Sequence, residues 1–242
     1  MKPSRPHNSP GTMHGCRGFT LAELAIVLLI VGILLAGILT PLSAQVEARR
    51  IAETQRKLEE VKEALIGFAI INGRLPRPAQ STSNGSERTT ICGTDAVCTG
   101  FIPWETLGVS KLDAWGKIIR YSVRPNFADV PFTLSTAGSK VVQTRDTNAP
   151  FGLINLASNI PAIVFSNGKN NWGTSDFGIA LSDTSVPDTN IDEDTNNSAT
   201  VTFISRTLTE VKTAPGGEFD DLVIWISPTV LMGRMVTAAK LP

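Results

Sequence analysis

Hydrophobic residues fill most positions from Leu21 to Leu39, and beyond that run they recur at intervals of three and four up to Phe68. The first stretch carries no charge between Leu24 and Leu39, and it approaches the ~20 apolar residues that span a bilayer. The second stretch has the period of one amphipathic helical face. That face comprises Ala44, Ala48, Ile51, Gln55, Leu58, Val61, Leu65 and Phe68. We expect one helix over 19–71, ended by Asn72-Gly73, with either a kink or local unwinding between Gly32 and Pro41.

Shorter apolar or alternating segments follow and predict antiparallel strands. The predicted strands are Ile118–Val123, Val130–Thr136, Pro161–Ser166, Thr200–Ser205 and Leu222–Ile226. Ser227-Pro228 has the form of a helix start and predicts a short C-terminal helix over Thr229–Lys240. These patterns predict an α+β fold, in which the C-terminal half of the long helix packs on an antiparallel sheet.

The residues that precede and open the apolar run form a motif: Gly18, Phe19, Thr20, Leu21 and Glu23. This motif resembles the processing site of type IV prepilins and pseudopilins. The resemblance implies a pilin-like fold. It also implies that a prepilin peptidase cuts between Gly18 and Phe19 and methylates the new amine of Phe19. The acid four residues after the cut corresponds to Glu23, which the resemblance assigns to subunit assembly.

The flanks of the apolar run predict its orientation in the inner membrane. Lys2, Arg5 and Arg17 precede it without any acid, so residues 1–18 are expected to be a cytoplasmic leader. A secretory signal would carry its small-residue cleavage site after the apolar region, not before it. We therefore expect a transmembrane or filament-core half-helix over 19–42, an amphipathic half-helix over 43–73 and an extracytoplasmic β-rich domain over 74–242. Translation could start at Met1 or Met13, with the same mature chain.

Composition limits the chemistry that a processed chain could perform. The 22 basic and 22 acidic residues balance, and loss of the leader leaves 19 basic residues, so no general attraction to nucleic acid is expected. Both histidines, His7 and His14, also leave with the leader, which excludes a Ser-His-Asp mechanism or a His-ligated metal. No glycine-rich phosphate loop is present. We expect neither enzymatic activity nor a cofactor.

The cysteine count becomes even after processing, because Cys16 lies in the leader. Cys92 and Cys98 remain, and a pair in an exported domain predicts a disulfide. Two free thiols or half of a zinc site are the alternatives. The zinc alternative lacks further Cys or His ligands in the mature chain.

An acidic segment over 188–194 offers side-chain oxygens at alternate positions, namely Asp188, Asn190, Asp192 and Asp194. Such spacing can wrap calcium, and major pseudopilins, which the chain resembles, bind calcium in a late loop. Glu193 occupies the position of the glycine in an EF-hand loop, and no acid closes the loop at its twelfth position. A solvated acidic loop without metal is therefore the main expectation.

The resemblance implies a structural subunit of a type IV pilus or related filament. The large domain, the long loops and the disulfide near the helix end favour the pilus, or a minor subunit of either system. Its expected partners are the prepilin peptidase, other pilin or pseudopilin subunits, the inner-membrane assembly platform and, before assembly, the membrane. A pseudopilin of a type II secretion system is the alternative, favoured by an Asp-x-Trp-Gly turn and following Tyr at Asp113, Trp115, Gly116 and Tyr121. A binding module for DNA or surfaces at a filament tip is a further alternative, for which Arg120 and Arg124 are too few basic residues.

Overall fold

The described part of the chain combines one long helix with two small sheets and four short helices. The computed structural model describes residues 20–148 and 151–241, with side chains for all of these except 35–42. In chain order the described elements are α1 (Leu21–Asn72), β1 (Thr99–Phe101), α2 (Trp104–Leu107), β2 (Arg120–Val123), α3 (Pro125–Ala128), β3 (Lys140–Arg145), β4 (Leu153–Ile160), β5 (Ala162–Ser166), α4 (Ile191–Ser198), β6 (Thr202–Ile204), β7 (Leu222–Trp225) and α5 (Pro228–Thr237). This content confirms the α+β prediction.

The chain divides into two units, residues 1–47 and residues 48–242, and α1 contributes to both. The predicted long helix is confirmed over Leu21–Asn72, and its helical backbone includes Pro41. Gly73 ends α1 in the left-handed region, with φ of 72°, and donates its N–H to the carbonyl of Ala69 at 2.8 Å. Glycine adopts this conformation without the penalty that a Cβ would bring, which explains the stop.

In the second unit, the C-terminal part of α1 supplies one wall of the main core. Leu58, Val61 and Leu65 are fully buried there, as the amphipathic pattern predicted. They pack in one cluster with strand, loop and α5 residues that include Ile102, Tyr121, Val123, Val164, Leu231 and Met235. Gln55 was expected on the same face but is exposed, whereas Thr54 is buried. The hydroxyl of Thr54 accepts the N–H of Ala114 at 3.1 Å, and this hydrogen bond satisfies the polar side chain inside.

Two sheets complete the second unit. The first has the strand order β1-β2-β5-β7 and is antiparallel throughout, with Val164 opposite both Tyr121 and Ile224. The second has the order β4-β3-β6, in which β3 pairs antiparallel with β4 but parallel with β6. The prediction of a purely antiparallel sheet is therefore wrong for β3 and β6. A smaller core lies between the sheets and includes Val142, Phe165 and Phe203.

Four of the five predicted strands contain an observed strand, namely β2, β5, β6 and β7. The fifth prediction, Val130–Thr136, is wrong. Thr136 donates its N–H to the carbonyl of Thr133 at 3.0 Å, and its hydroxyl accepts the N–H of Thr133 at 2.9 Å. Hydroxyl side chains that bond to nearby backbone favour a turn over a strand. β1, β3 and β4 were not predicted.

The C-terminal helix is confirmed as α5, with Leu231 and Met235 buried. Pro228 stands in its first turn as predicted. Ser227 occupies the cap position, but its side chain makes no capping hydrogen bond.

Candidate functional site

The start of α1 is a capping box made by Thr20 and Glu23. One carboxylate oxygen of Glu23 accepts the N–H of Thr20 at 2.8 Å and its hydroxyl at 3.0 Å, and the N–H of Glu23 reaches the Thr20 hydroxyl at 3.2 Å. These reciprocal bonds satisfy backbone donors that the first helical turn leaves free. Glu23 therefore has a role within its own chain. Gly18 and Phe19, the predicted cleavage and methylation residues, lie outside the described residues.

The N-terminal part of α1 exposes apolar side chains all around the helix. Every described side chain from Leu21 to Leu34 is exposed within its own unit. The large hydrophobic ones are Leu21, Leu24, Ile26, Val27, Leu28, Leu29, Ile30, Val31, Ile33 and Leu34. A helix that is hydrophobic on every side is stable only when lipid or other helices surround it.

Cys92 and Cys98 form the predicted disulfide in the structure, with their Cα atoms 5.1 Å apart. Asp129 anchors the bridged loop, because its carboxylate accepts the N–H groups of Cys92 and Gly93 at 2.9 Å. Although burial opposes it, these bonds and the guanidinium of Arg77 hold the pKa of Asp129 below its ordinary value. The carboxylate of Asp129 lies close to both sulfurs. Disulfide sulfurs are not thiolate ligands, so this group is not a zinc site.

The Asp-x-Trp-Gly segment is a tight turn built on the Asp113 carboxylate. One oxygen of Asp113 accepts the N–H groups of Trp115 and Lys117, both at 2.9 Å, and the other accepts the hydroxyl of Ser166 at 2.6 Å. Gly116 takes a φ of 80°, which explains the glycine. Burial raises the pKa of Asp113, while the three donors oppose that rise. This geometry gives the motif a structural role in joining the turn to β5.

A buried lysine, Lys117, holds the loop that follows β5. Its ammonium group donates to the carbonyls of Asn167, Asn170 and Asn171 at 2.9, 2.6 and 2.7 Å, so all three protons are used. Burial lowers the pKa of Lys117, and nearby carboxylates oppose this, beginning with Asp220.

Three carboxylates lie close to this lysine, and they interact with one another. Glu193 accepts the N–H of Asp220 at 2.8 Å, and Asp221 accepts the amide of Asn196 at 2.8 Å. Burial and then the charge of Glu193 raise the pKa of Asp220 to about 7, and they raise the pKa of Asp221 well above its ordinary range. The cluster therefore contains one carboxyl group, that of Asp220, whose charge changes near neutral pH, beside an ammonium group that three carbonyls hold in place.

Asp192, one of the predicted calcium residues, points into the protein. Its carboxylate is fully buried and pairs with two guanidinium groups, Arg145 at 2.6 Å and Arg206 at 2.7 Å. Asn190 is also fully buried, and its amide donates to Glu193 and Asp183. The expected loop is in fact helical from Ile191 onward, as part of α4.

Asp188 and Asp194 instead meet Asp183, which the sequence reading did not include. Carboxylate oxygens of these three residues lie within 4.8 Å of one another. Burial raises the pKa of Asp194. The indole N–H of Trp172, at 2.7 Å, opposes that rise, and the charges of Asp188 and Asp183 add to it. Asp188 and Asp194, two of the four predicted residues, therefore lie together, with Asp183 as the third member of the group. The other two, Asn190 and Asp192, do not belong to it.

Comparison with known proteins supports the reading of the N-terminus. Residues 13–39 match the family model of the prokaryotic N-terminal methylation motif, which is characteristic of type IV pilins and pseudopilins. The chain carries a pilin-type methylation motif. Such a motif indicates a structural subunit that begins as a membrane-anchored precursor. No curated protein and no solved structure matches the chain.

The pilin-type motif covers only the N-terminal part of the chain and says nothing of the second unit, residues 48–242, which we call the globular unit. In the part of the chain that the structure describes, no helix is both long enough and apolar enough to cross a membrane. The sequence reading missed the capping role of Thr20 and the carboxylate of Asp183. The Thr-x-x-Glu spacing was visible and could have revealed the capping box. The position of Asp183, several residues before the acidic segment, gave no comparable signal.

Proposed function

We propose that the chain is a minor structural subunit of a type IV pilus or a related filament. In this proposal a prepilin peptidase cuts it after Gly18 and methylates Phe19, and the mature chain is assembled from the inner membrane by the pilus assembly platform. The match of residues 13–39 to the methylation motif carries the proposal. The disulfide supports export of the globular unit, because such bridges persist in oxidising compartments.

The exposed apolar surface of α1 supplies a physical reason to assemble. Side chains from Leu21 to Leu34 are exposed in the single chain, so they require an apolar environment. Lipid provides that environment before assembly, with the leader in the cytoplasm and the globular unit outside. Neighbouring α1 helices replace lipid in the filament. Packing, and not a hydrophobic gain, drives this exchange, because lipid tails are as apolar as leucine.

Glu23 sets the register between subunits in this proposal. In the single chain its carboxylate is occupied by the capping bonds to Thr20. In a filament core the same carboxylate also needs a positive partner, since an unpaired buried charge is strongly destabilising. The new amine of Phe19 on a neighbouring subunit can supply that charge, and no Lys or Arg occurs between Leu24 and Leu42.

The experiment compares Glu23→Val with Thr20→Ala in cells that assemble filaments. Both changes remove the capping box, but only the first removes the charge. We expect both proteins to be processed, since neither alters Gly18 or Phe19. Glu23→Val should be absent from sheared filaments, while Thr20→Ala should enter them at a reduced or normal level. Entry of Glu23→Val at the wild-type level would refute the register role, and Glu60→Gln, an exposed acid of α1, controls for loss of charge elsewhere.

A pseudopilin of a type II secretion system is the second candidate. The turn built on Asp113, followed along the chain by the buried Tyr121 of β2, favours it through the resemblance to major pseudopilins. Deletion of the gene would distinguish the two, since a pseudopilin is required for protein secretion and a pilus subunit for surface filaments. DNA recognition gains no support, because Arg120 is largely enclosed with its guanidinium 5.3 Å from the ring of Phe165.

A further inference from the structure

The loop closed by Cys92 and Cys98 carries an acid, Asp95, at its centre. The carboxylate of Asp95 accepts a hydrogen bond from the ammonium group of Lys140 at 2.9 Å. The lysine side chain is fully buried, whereas the side chain of Asp95 remains 23% exposed. The hydroxyl of Ser139 also lies 3.4 Å from this carboxylate. The disulfide loop therefore supplies a buried cation with its counter-ion.

Lys140 depends on Asp95 for its charge compensation. Among the described residues, Asp95 is the only acid whose carboxylate comes within 4.0 Å of the Lys140 ammonium group. The second hydrogen bond of that group goes to a neutral acceptor, the carbonyl of Thr200, at 2.7 Å. Burial lowers the pKa of Lys140, the charge of Asp95 opposes that fall, and the charge of Arg124 adds to it. A buried charge that loses its partner is strongly destabilising.

Lys140 stands at the point where the three strands of the β4-β3-β6 sheet meet. It is the first residue of β3 and lies opposite Ile160, the last residue of β4. Thr200, which accepts its hydrogen bond, comes just before β6, and Val141 donates its N–H to the carbonyl of Val201 at 2.9 Å. An uncompensated charge at this point therefore opposes the pairing of β3 with both of its neighbours.

The bridge and a few hydrogen bonds hold Asp95 in this position. At the start of the loop Asp129 accepts the N–H of Cys92 at 2.9 Å. At its end the hydroxyl of Thr99 donates to the carbonyl of Asp95 at 2.8 Å. These bonds fix the two ends separately, whereas the bridge to Cys98 joins them to each other. In the chain-entropy model, a bridge across a loop this short disfavours the open conformations of the loop by about thirtyfold.

We propose that the bridge between Cys92 and Cys98 is a redox latch for the β4-β3-β6 sheet, which acts by keeping Asp95 on the ammonium group of Lys140. A dithiol reductant opens the latch. Two electrons enter the bridge, the S–S bond breaks, the two protons of the dithiol pass to the cysteine sulfurs, and the dithiol becomes a disulfide. The loop then opens more often, Lys140 loses its counter-ion, and the pairing of β3 with β4 and β6 weakens.

The latch predicts a local effect within the globular unit, and it goes beyond the proposed filament role. Cys92 and Cys98 belong to the main core, in one cluster with Val164 of β5. Val142 of β3 and Phe203 of β6 belong to the smaller core. A latch that acts through Lys140 loosens β3 and β6 and leaves the pairing of β5 with β7 unchanged. A general loosening after loss of the bridge would affect β5 and β7 equally.

The test measures amide hydrogen exchange by mass spectrometry on the full chain in detergent, oxidised and then reduced with a phosphine. Labelling of both thiols confirms complete reduction, and the double variant Cys92→Ser, Cys98→Ser supplies the open state if the phosphine does not reach the bridge. We expect amides of β3 and β6 to exchange about tenfold to thirtyfold faster without the bridge, and those of β5 and β7 to change little. Unchanged exchange in β3 and β6, or an equal rise in β5 and β7, would overturn the proposal.

Two variants separate the ion pair from the bridge itself. Asp95→Asn keeps the bridge but removes the counter-ion, so β3 and β6 should exchange faster even in the oxidised chain. Lys140→Met removes the charge that needs a counter-ion, and such apolar replacements of buried ion pairs are often tolerated. Reduction should then no longer change the exchange of β3 and β6.

Glu60→Gln, which removes an exposed acid of α1, is the control and should respond to reduction as the wild type does. The proposal is wrong if Asp95→Asn exchanges as the oxidised wild type does. It is equally wrong if reduction accelerates exchange in Lys140→Met as much as in the wild type, because the bridge would then act without the ion pair.

Discussion

Asp220 should make the globular unit less stable as pH rises from 5 to 8. Its carboxylate accepts the N–H of Asn170 at 2.7 Å and lies beside Glu193 and Asp221. The positive charge of nearby Lys117 opposes part of the rise in the pKa of Asp220. Burial and the charge of Glu193 raise its pKa from 3.8 to about 7. Between pH 3.8 and about pH 7 the carboxyl group of Asp220 is ionised in the unfolded chain but still protonated in the folded chain. The folded state is therefore progressively disfavoured up to pH 7, and the effect is complete above it.

The size of this effect follows from the same pKa. Each pKa unit corresponds to about 1.4 kcal/mol, so the rise from 3.8 to about 7 sets an upper limit of about 4 kcal/mol. Only the part of this range between pH 5.5 and the pKa of about 7 is covered by a comparison of pH 5.5 with pH 8, so we expect Asp220 to contribute about 2 kcal/mol to that difference. Asp220→Asn keeps an oxygen for the N–H of Asn170 but cannot ionise, so it should remove this part of the pH dependence.

The assay is urea unfolding of the full chain in detergent, followed by tryptophan fluorescence at pH 5.5 and pH 8. We expect the wild type to lose stability at pH 8 and Asp220→Asn to lose about 2 kcal/mol less. Glu60→Gln, an exposed acid on α1, is the control and should behave as the wild type. A wild type that is more stable at pH 8, or an Asp220→Asn variant with unchanged pH dependence, would refute the reasoning.

Two other predictions concern the globular unit. Cys92 and Cys98 should resist alkylation until a reductant is added, and replacing both by serine should lower the free energy of unfolding by about 2 kcal/mol; free reaction without reductant would contradict the bridge. Asp188→Asn removes one of three neighbouring negative charges, so it should raise the free energy of unfolding by about 0.5 kcal/mol. The measurement uses a chelator, so that no metal ion screens the three charges. A lower free energy of unfolding in urea would contradict this account of the group formed by Asp183, Asp188 and Asp194.

The sequence was most informative where one face of an element is buried. Leu58, Val61 and Leu65 line the core at helical spacing, and β5 is buried along its whole length, so both elements were predictable. β4 is exposed on both faces, so burial imposed no alternation of apolar and polar residues on it. The parallel pairing of β3 with β6 depends on which distant strands meet, and local pattern carries no such information.

The site residues were predictable in proportion to how local their interactions are. The disulfide loop closes over six positions, and it was predicted because Cys92 and Cys98 are the pair that remains in the exported chain after loss of the leader. The role of Asp192 as a buried ion-pair partner could not be predicted from the sequence, because Arg145 and Arg206 lie 47 and 14 positions away from it in the chain. A charged residue in an acidic segment is usually solvated, and only the fold turns this one inward.

The mass of the chain purified from membranes of cells that contain a prepilin peptidase tests the central claim most directly. The account predicts a single species that lacks residues 1–18 and carries one methyl group on the amine of Phe19. A Gly18→Leu variant, with a bulky residue before the cut, should keep its leader and remain in the membrane fraction. A wild-type chain that retains its leader, is cut beyond the apolar run after residue 40, or ends in an unmethylated amine would contradict the claim.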